Sequence, residues 1–165
     1  MQSTHPITLI SAYYTPYSNI QYILQDLRGI LSLLQKESIF IDSDLKGHNT
    51  VWGYKSNDTR GENIMKFILA TDLCLLNTLD SLATFLRHSS VDWPDLTLCS
   101  HFLLQYAPHW EVLDDLTNRD YRYILRSIDN PIENYHYIGY KILYGNHHKF
   151  PKTLQINTQS IENEI

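Results

Sequence analysis

Three acidic residues of this chain stand where an apolar run of sequence meets a polar loop. Asp44 ends the run SIFIDSD, Asp95 begins DLTLCS, and Asp120 begins DYRYILRSI. Loops at the edge of an α/β sheet are free to converge, so acids placed there can meet in one site. Paired carboxylates are the ligands that a hard cation such as Mg²⁺ requires. Asp is also common at strand ends because it forms turns, and from spacing alone the turn is the stronger interpretation.

Apolar patterning predicts the elements that would position these acids. Strands are expected at 7–14, 38–44, 74–77, 82–86, from Asp95 to 100, at 109–115 and at 120–128. Helices are expected at 20–35, with Ser18 or Asn19 near the N-cap, and at 61–73, after a long polar loop at 45–60. Strand, helix, strand, helix and then several strands is the order of an α/β fold with mixed sheets.

Composition narrows the class of protein. The chain has 165 residues, of which 43% are hydrophobic and 19% charged, which is typical of one globular domain. Its net charge of −5 argues against tight non-specific binding of nucleic acid, because such binding depends on Lys and Arg that neutralise phosphates. Cys74 and Cys99 are not part of a zinc pattern, and two lone thiols are typical of a reduced protein. We see no signal sequence and no apolar run that approaches a membrane span, so we expect an intracellular protein without a membrane segment.

Several short stretches, taken in order, resemble the endonuclease domain of non-LTR retrotransposons, which belongs to the endonuclease/exonuclease/phosphatase family. They are ITLISAYYTP, FIDSDLKGHNTVWG, TRGENIMKFILATDLCLLN, ATF, SSVDWPDLTLCS, HWEVLDD and RDYRYI. Each stretch alone is a weak signal, but their shared order from Ile7 to Ile124 makes the resemblance strong. The last part, 129–165, more loosely resembles the segment that joins such an endonuclease to a reverse transcriptase.

The resemblance implies a fold and a reaction. The fold would be a four-layer α/β sandwich, in which two packed mixed sheets are flanked by helices. The reaction would be hydrolysis of DNA phosphodiester bonds with Mg²⁺ or Mn²⁺, and the retrotransposon members nick target DNA so that the new 3′ end primes reverse transcription. DNA would then be the partner and the nucleus the place of action. The chain would divide into a partial endonuclease domain, 1–128, and a linker or tail, 129–165. Within this tail, sequence pattern independently offers candidate helices at 131–143 and 158–165.

The resemblance also implies a role for each acid. Asp44 would face the attacking water, Asp95 would orient a catalytic imidazole, and Asp120 would support the metal together with Asp44. Tyr13 matches the active-site tyrosine of the family. The implied catalytic residues are therefore Asp44, Asp95, Asp120 and Tyr13, and the implied metal ligands are Asp44 and Asp120.

Two positions of the family motif carry other residues here. Lys46 stands where the family has an asparagine that holds the phosphate, and Tyr121 stands where it has a histidine. A lysine only donates hydrogen bonds and is charged, so it can contact the phosphate or pair with Asp44, and it repels a nearby metal. A tyrosine with a pKa near 10 is a poor acid–base group at pH 7, and loss of such a group typically slows a reaction roughly 10²- to 10⁴-fold.

The chain is also expected to lack the first strands of the family fold. Only six residues precede Ile7, whereas the family has one strand with an asparagine and another with the metal-binding glutamate before this point. We expect the first sheet to have an exposed edge as a result.

Three functions remain open. The first is an endonuclease-like domain with little or no catalysis. The second is a working Mg²⁺-dependent nuclease that uses Asp44, Asp95 and Asp120. The third is a non-catalytic module that binds nucleic acid or a protein partner.

Other conspicuous side chains have simpler interpretations. His48 is expected to hold its loop, and Trp52 and Trp110 are expected to pack in the core. Arg60 either faces solvent at the start of a helix or bridges groups near the site. The pair at 147–148 is two adjacent histidines, and a metal site needs three or four converging ligands, so we expect a solvated pair.

Overall fold

The computed structural model describes residues 7–87, 90–114 and 120–129. Their elements are β1 Ile7–Tyr13, α1 Ile20–Leu33, β2 Ser38–Asp44, α2 Thr59–Ala70, β3 Leu73–Leu75, β4 Phe85–Arg87, β5 Ser90–Asp92, β6 Asp95–Ser100, β7 His109–Val112 and β8 Ile124–Ser127. Short 3₁₀ turns cover Thr50–Trp52 and His101–Tyr106. The helices expected at 131–143 and 158–165 lie outside the described residues.

A four-stranded mixed sheet carries the elements that bear the acids. Its order is β1-β2-β6-β3, with β1 parallel to β2 and the other pairs antiparallel. Strands β4 and β5 form one antiparallel hairpin, and β7 and β8 form another. The predicted α/β class with mixed sheets is confirmed.

Strand β2 lies in the middle of the buried region, which explains its unbroken apolar run. Ile39 and Ile41 join the cluster formed with helices α1 and α2. Phe40 points to the opposite face and packs with Cys99 and Leu103. Because successive side chains of a strand point to opposite faces, the part of β2 that is covered on both sides, Ile39 to Ile41, is apolar at every position.

The helices begin where their capping residues allow. The Asn19 side chain accepts a hydrogen bond from the Gln21 amide at 3.0 Å, so the N-cap predicted for α1 is confirmed. The Asp58 side chain accepts a hydrogen bond from the Gly61 amide at 2.6 Å, and α2 therefore begins at Thr59, two residues before the predicted start.

Several predicted strand boundaries were wrong. The expected strand 120–128 is a strand only over Ile124–Ser127, and Tyr121 instead forms an isolated bridge with Phe85. The strand expected at 82–86 lies at Phe85–Arg87. The three-residue strand β5 and the 3₁₀ turn His101–Tyr106 were not predicted. Such short elements depend on their pairing partners more than on local pattern.

The prediction that Trp52 and Trp110 pack in the core is confirmed. Trp52 is fully buried and Trp110 is nearly so, and the Trp52 indole donates a hydrogen bond to the Gly47 carbonyl at 3.0 Å. Cys74 and Cys99 are free thiols. None of the helices in the described ranges is long and apolar enough to cross a membrane.

Candidate active site

The register of the central sheet places three of the predicted site residues in one row. Tyr13, the last residue of β1, pairs with Asp44, the last residue of β2. Asp44 in turn pairs with Asp95, the first residue of β6. The three residues line one cavity of about 370 Å³, together with Tyr121. The cavity is therefore built at the strand ends where the sequence predicted the chemistry.

Lys46 adopts a backbone conformation that is unusual for its residue type. Its φ angle is 54°, in the left-handed region that few residues other than glycine adopt. Lys46 is the second residue after β2, and its side chain returns to the last residue of that strand. The Lys46 ammonium lies 2.8 Å from the Oδ2 atom of Asp44.

The Lys46 ammonium lies close to three side chains, those of Asp44, Tyr121 and Phe85. It donates to the Tyr121 hydroxyl at 2.8 Å, and that hydroxyl donates to Asp44 Oδ2 at 3.3 Å. The nitrogen also lies 5.3 Å from the ring centre of Tyr121 and 5.7 Å from that of Phe85. Burial acts to lower the pKa of Lys46, but the hydrogen bonds to Asp44 and Tyr121 outweigh it, so its pKa is raised and the ammonium stays charged.

Tyr121 reaches the cavity because its segment runs beside β4. The Leu86 amide donates to the Asp120 carbonyl at 2.7 Å, and the Arg122 amide donates to the Thr84 carbonyl at 2.8 Å. The Tyr121 ring meets Phe85 edge to face at 4.9 Å between ring centres. Burial raises the pKa of the Tyr121 hydroxyl further above neutrality, so Tyr121 remains a neutral hydrogen-bonding group at pH 7.

The Asp120 side chain lies outside this arrangement. It is about half exposed, and its carboxylate lies 3.8 Å from the Arg87 guanidinium. Asp120 does not line the cavity that Asp44 and Asp95 share. Its main chain supports the segment that carries Tyr121, while its carboxylate pairs with Arg87.

Asp44 and Asp95 each keep a buried oxygen without a hydrogen bond. These atoms are Asp44 Oδ1 and Asp95 Oδ2. Burial raises the pKa of Asp95, and the neighbouring charge of Asp44 also acts in that direction. The Thr84 hydroxyl beside the Asp95 carboxylate acts in the opposite direction.

The sequence analysis missed a second charged pair in the cavity wall. Asp42 forms an ion pair with Arg126 of β8, and its Oδ1 accepts a hydrogen bond from Thr97 at 3.0 Å. The Trp110 indole donates to the same Thr97 hydroxyl at 3.0 Å. Asp42 is two residues before Asp44 and so points to the same face of β2, which is the sequence signal that could have identified it.

Arg60 acts as a bridge and not as a solvent-facing residue. Its guanidinium donates to four main-chain carbonyls, those of Leu45 at 2.5 Å, Thr15 at 3.0 Å, Ser18 at 2.9 Å and Pro16 at 3.3 Å. The first belongs to the loop after β2 and the others belong to the turn after β1. Arg60 therefore ties together the two loops that follow Tyr13 and Asp44.

His48 contributes to the structure of its loop. Its ring stacks on Tyr54 with the ring centres 4.0 Å apart, and its amide donates to the Asp58 carboxylate at 3.1 Å. These contacts agree with the loop-holding role expected for His48.

The described side chains do not fit a bound Mg²⁺ ion in their present arrangement. Mg²⁺ binds through carboxylates that are free to coordinate it, and Asp44 Oδ2 is already taken by the Lys46 ammonium. Within 7–87, 90–114 and 120–129, no group of three His, Cys, Asp or Glu side chains converges to hold a metal. The unpaired oxygens of Asp44 and Asp95 remain, but they lie beside a resident positive charge.

Asp95→Asn is expected to stabilise the fold at pH 7. The raised pKa means that the folded state holds the Asp95 proton more tightly than the unfolded state. Ionisation then opposes folding, and stability is lost as pH rises from the unfolded pKa, about 3.9, through the folded pKa. The increase in the free energy of unfolding that Asp95→Asn gives should therefore become smaller as pH falls toward about 4. Urea unfolding of both proteins across this pH range measures the difference.

The control for this experiment is Asp120→Asn, which removes one charge from an exposed, paired carboxylate. A gain from Asp95→Asn no larger than that of the control, or one that grows as pH falls, would contradict the prediction.

Comparison with known proteins agrees with this architecture. Residues 7–125 match the family model described as endonuclease-reverse transcriptase. Among solved structures, the chain is similar in fold to the "endonuclease domain of TRAS1, a telomere-specific non-LTR retrotransposon", with a TM-score of 0.65 and 24% sequence identity. The match covers 73% of this chain and 56% of that one, so the chain spans little more than half the length of that domain. The predicted α/β sandwich is confirmed by this likeness.

No curated protein matches the chain. The family model covers well over half of the 165 residues and includes Tyr13, Asp44, Lys46, Asp95 and Tyr121. The chain therefore belongs to the endonuclease-reverse transcriptase family.

Proposed function

We propose that this chain is an endonuclease-like domain of a non-LTR retrotransposon protein in which the family reaction is impaired. That reaction is Mg²⁺-dependent hydrolysis of DNA phosphodiester bonds, with DNA as substrate and the nucleus as the place of action. The family match over residues 7–125 supports this assignment. The likeness to the TRAS1 endonuclease domain supports the fold on which it rests.

One observation supports the impairment. The Lys46 ammonium and the Tyr121 hydroxyl both contact Asp44 Oδ2, at 2.8 and 3.3 Å. A carboxylate engaged in this way is less available to a metal ion or to an attacking water. Tyr121 also remains neutral at pH 7, so it is a poor group for proton transfer to the reacting phosphate.

Nicking of supercoiled plasmid by the purified chain, in Mg²⁺ and then Mn²⁺, tests this proposal. We expect the natural chain to nick no faster than Asp44→Ala, since Asp44 is already engaged by Lys46. A third protein carries Lys46→Asn with Tyr121→His, and circular dichroism verifies that all three proteins are folded. Faster nicking by this double variant would place the defect at these two positions.

Nicking by the natural chain that disappears in Asp44→Ala would overturn the impairment. The site would then work with Lys46 and Tyr121 in place, and the chain would be a functional nuclease.

A non-catalytic module that binds nucleic acid is the second candidate. The rings of Tyr13 and Tyr123 line the cavity and are 58% and 62% exposed. Stacking of a base on an exposed aromatic ring contributes about 1–3 kcal/mol. A folded chain that retards plasmid in a gel without nicking it, and does so less as salt rises, would favour this candidate.

A further inference from the structure

We infer that the Lys46 ammonium is a built-in cation of this site and takes the position at Asp44 that a divalent metal ion would otherwise occupy. The inference rests on the proposed function in one respect: the choice of Mg²⁺ or Mn²⁺ as the metal ion comes from the family reaction. It predicts that removal of the Lys46 side chain creates a metal-binding site at Asp44.

The contacts of Lys46 are those of a bound cation. Its nitrogen lies 2.8 Å from Asp44 Oδ2 and 2.8 Å from the Tyr121 hydroxyl, distances typical of charge-assisted hydrogen bonds. The ring centre of Phe85 lies 5.7 Å from the same nitrogen, in the range of cation–π attraction. The side chains of Asp44, Tyr121 and Phe85 therefore together form a binding site for one positive charge.

The pair is shielded from water. The side chain of Asp44 is only 11% exposed and that of Lys46 is 24% exposed. Shielded charges are screened less by salt than surface charges, so the ammonium repels a second cation at Asp44 effectively. Removal of one partner also leaves the other charge uncompensated, which favours a new cation in place of Lys46.

The main chain on both sides of Lys46 is held by hydrogen bonds from other side chains. The carbonyl before it, Leu45, is held by Arg60 at 2.5 Å. The carbonyl after it, Gly47, is held by Trp52 at 3.0 Å. With both neighbours hydrogen-bonded and φ at 54°, the Cα–Cβ bond of Lys46 has a defined direction, and the side chain reaches Asp44 from there.

Oxygens suited to a metal remain when the ammonium is removed. Asp44 would keep both of its oxygens, of which Oδ1 is buried and without a hydrogen bond. Asp95, its register partner, contributes a second, largely buried carboxylate, which has the Thr84 hydroxyl beside it. Two adjacent carboxylates are a minimal site for a divalent cation.

The inference is tested by measuring how tightly the intact chain binds Mn²⁺ in the absence of DNA. The electron paramagnetic resonance signal of unbound Mn²⁺ reports the fraction that has not bound. We expect Lys46→Asn to bind Mn²⁺ at least about tenfold more tightly than the natural chain. Asparagine tolerates the positive φ of this position, so the loop should be retained. The matched control is Lys55→Asn, which removes one charge from an exposed loop lysine and should leave Mn²⁺ binding unchanged.

A second change identifies the site. Asp44→Ala, added to Lys46→Asn, should abolish the gained Mn²⁺ binding. An equal gain in Lys46→Asn and Lys55→Asn would overturn the inference, because it would reflect net charge alone. Mn²⁺ binding by the natural chain that is lost in Asp44→Ala would also overturn it, and this measurement needs no Lys46 variant.

The outcome can be separated from that of the nicking experiment. Absence of Mn²⁺ binding together with metal-dependent nicking would remove the proposed impairment and leave Lys46 as the resident cation. Mn²⁺ binding at Asp44 of the natural chain without nicking would remove the inference and leave the impairment.

Discussion

Gly61→Ala is expected to lower the free energy of unfolding by about 3 kcal/mol. A Cβ atom at this position would lie 2.5 Å from the carbonyl carbon of His48 and closer still to its oxygen. The obstacle is main chain, which cannot rotate away as a side chain can. Helix propensity alone predicts the opposite, because alanine in a helix is favoured over glycine by about 1 kcal/mol. Urea unfolding monitored by circular dichroism measures the change.

Gly29→Ala is the matched control. Gly29 lies within α1, and a Cβ there meets nothing within 4 Å. The same substitution should therefore raise stability by about 0.5–1 kcal/mol. If Gly61→Ala were also stabilising, the loop after β2 would not pack against the first turn of α2 as described.

Arg60→Ala is expected to lower the free energy of unfolding by about 2–3 kcal/mol. The guanidinium donates to four carbonyls in two loops, and no other residue type presents five donors in a planar fork. Part of the loss is offset because Arg60 is only partly buried and water can reach some of these carbonyls. Urea unfolding gives the total, and amide hydrogen exchange at 15, 17–18 and 45–48 localises it.

Two further variants serve as comparisons for the stability change of Arg60→Ala. Arg60→Lys should recover only a small part of the loss, since one ammonium cannot span both loops. Arg87→Ala should change stability by less than about 0.5 kcal/mol, because Arg87 is exposed and its ion pair with Asp120 is 3.8 Å long. Equal effects of Arg60→Ala and Arg87→Ala would show that Arg60 is a surface residue.

The elements that the sequence predicted well are those specified by local pattern. Helix α1 has apolar residues at helical spacing behind Asn19, and β2 has a continuous apolar run. Both signals arise within a few residues and need no partner. Strand β5, over Ser90–Asp92, has only three residues and exists through its pairing with β4, so local pattern could not predict it.

Local pattern also identified some of the residues of the candidate site, but not their contacts. Asp44 and Asp95 were identified at strand ends, and the register then placed them side by side. The role of Arg60 stayed open because its four acceptors are main-chain carbonyls, and a carbonyl leaves no mark in the sequence. Asp42 was missed because its partners Arg126 and Thr97 lie 84 and 55 residues away.

The sequence by itself determined the α/β class, the family and the residues that could do chemistry, because the order of motifs and the apolar periodicity are properties of the chain. Only the tertiary structure decided which charges meet. Lys46 closes on Asp44 and Tyr121, whereas the Asp120 carboxylate pairs with Arg87 outside the cavity lining. The physical reason is range: periodicity acts over a few residues, whereas a contact such as that between Lys46 and Tyr121 joins residues 75 positions apart and depends on how every intervening element packs.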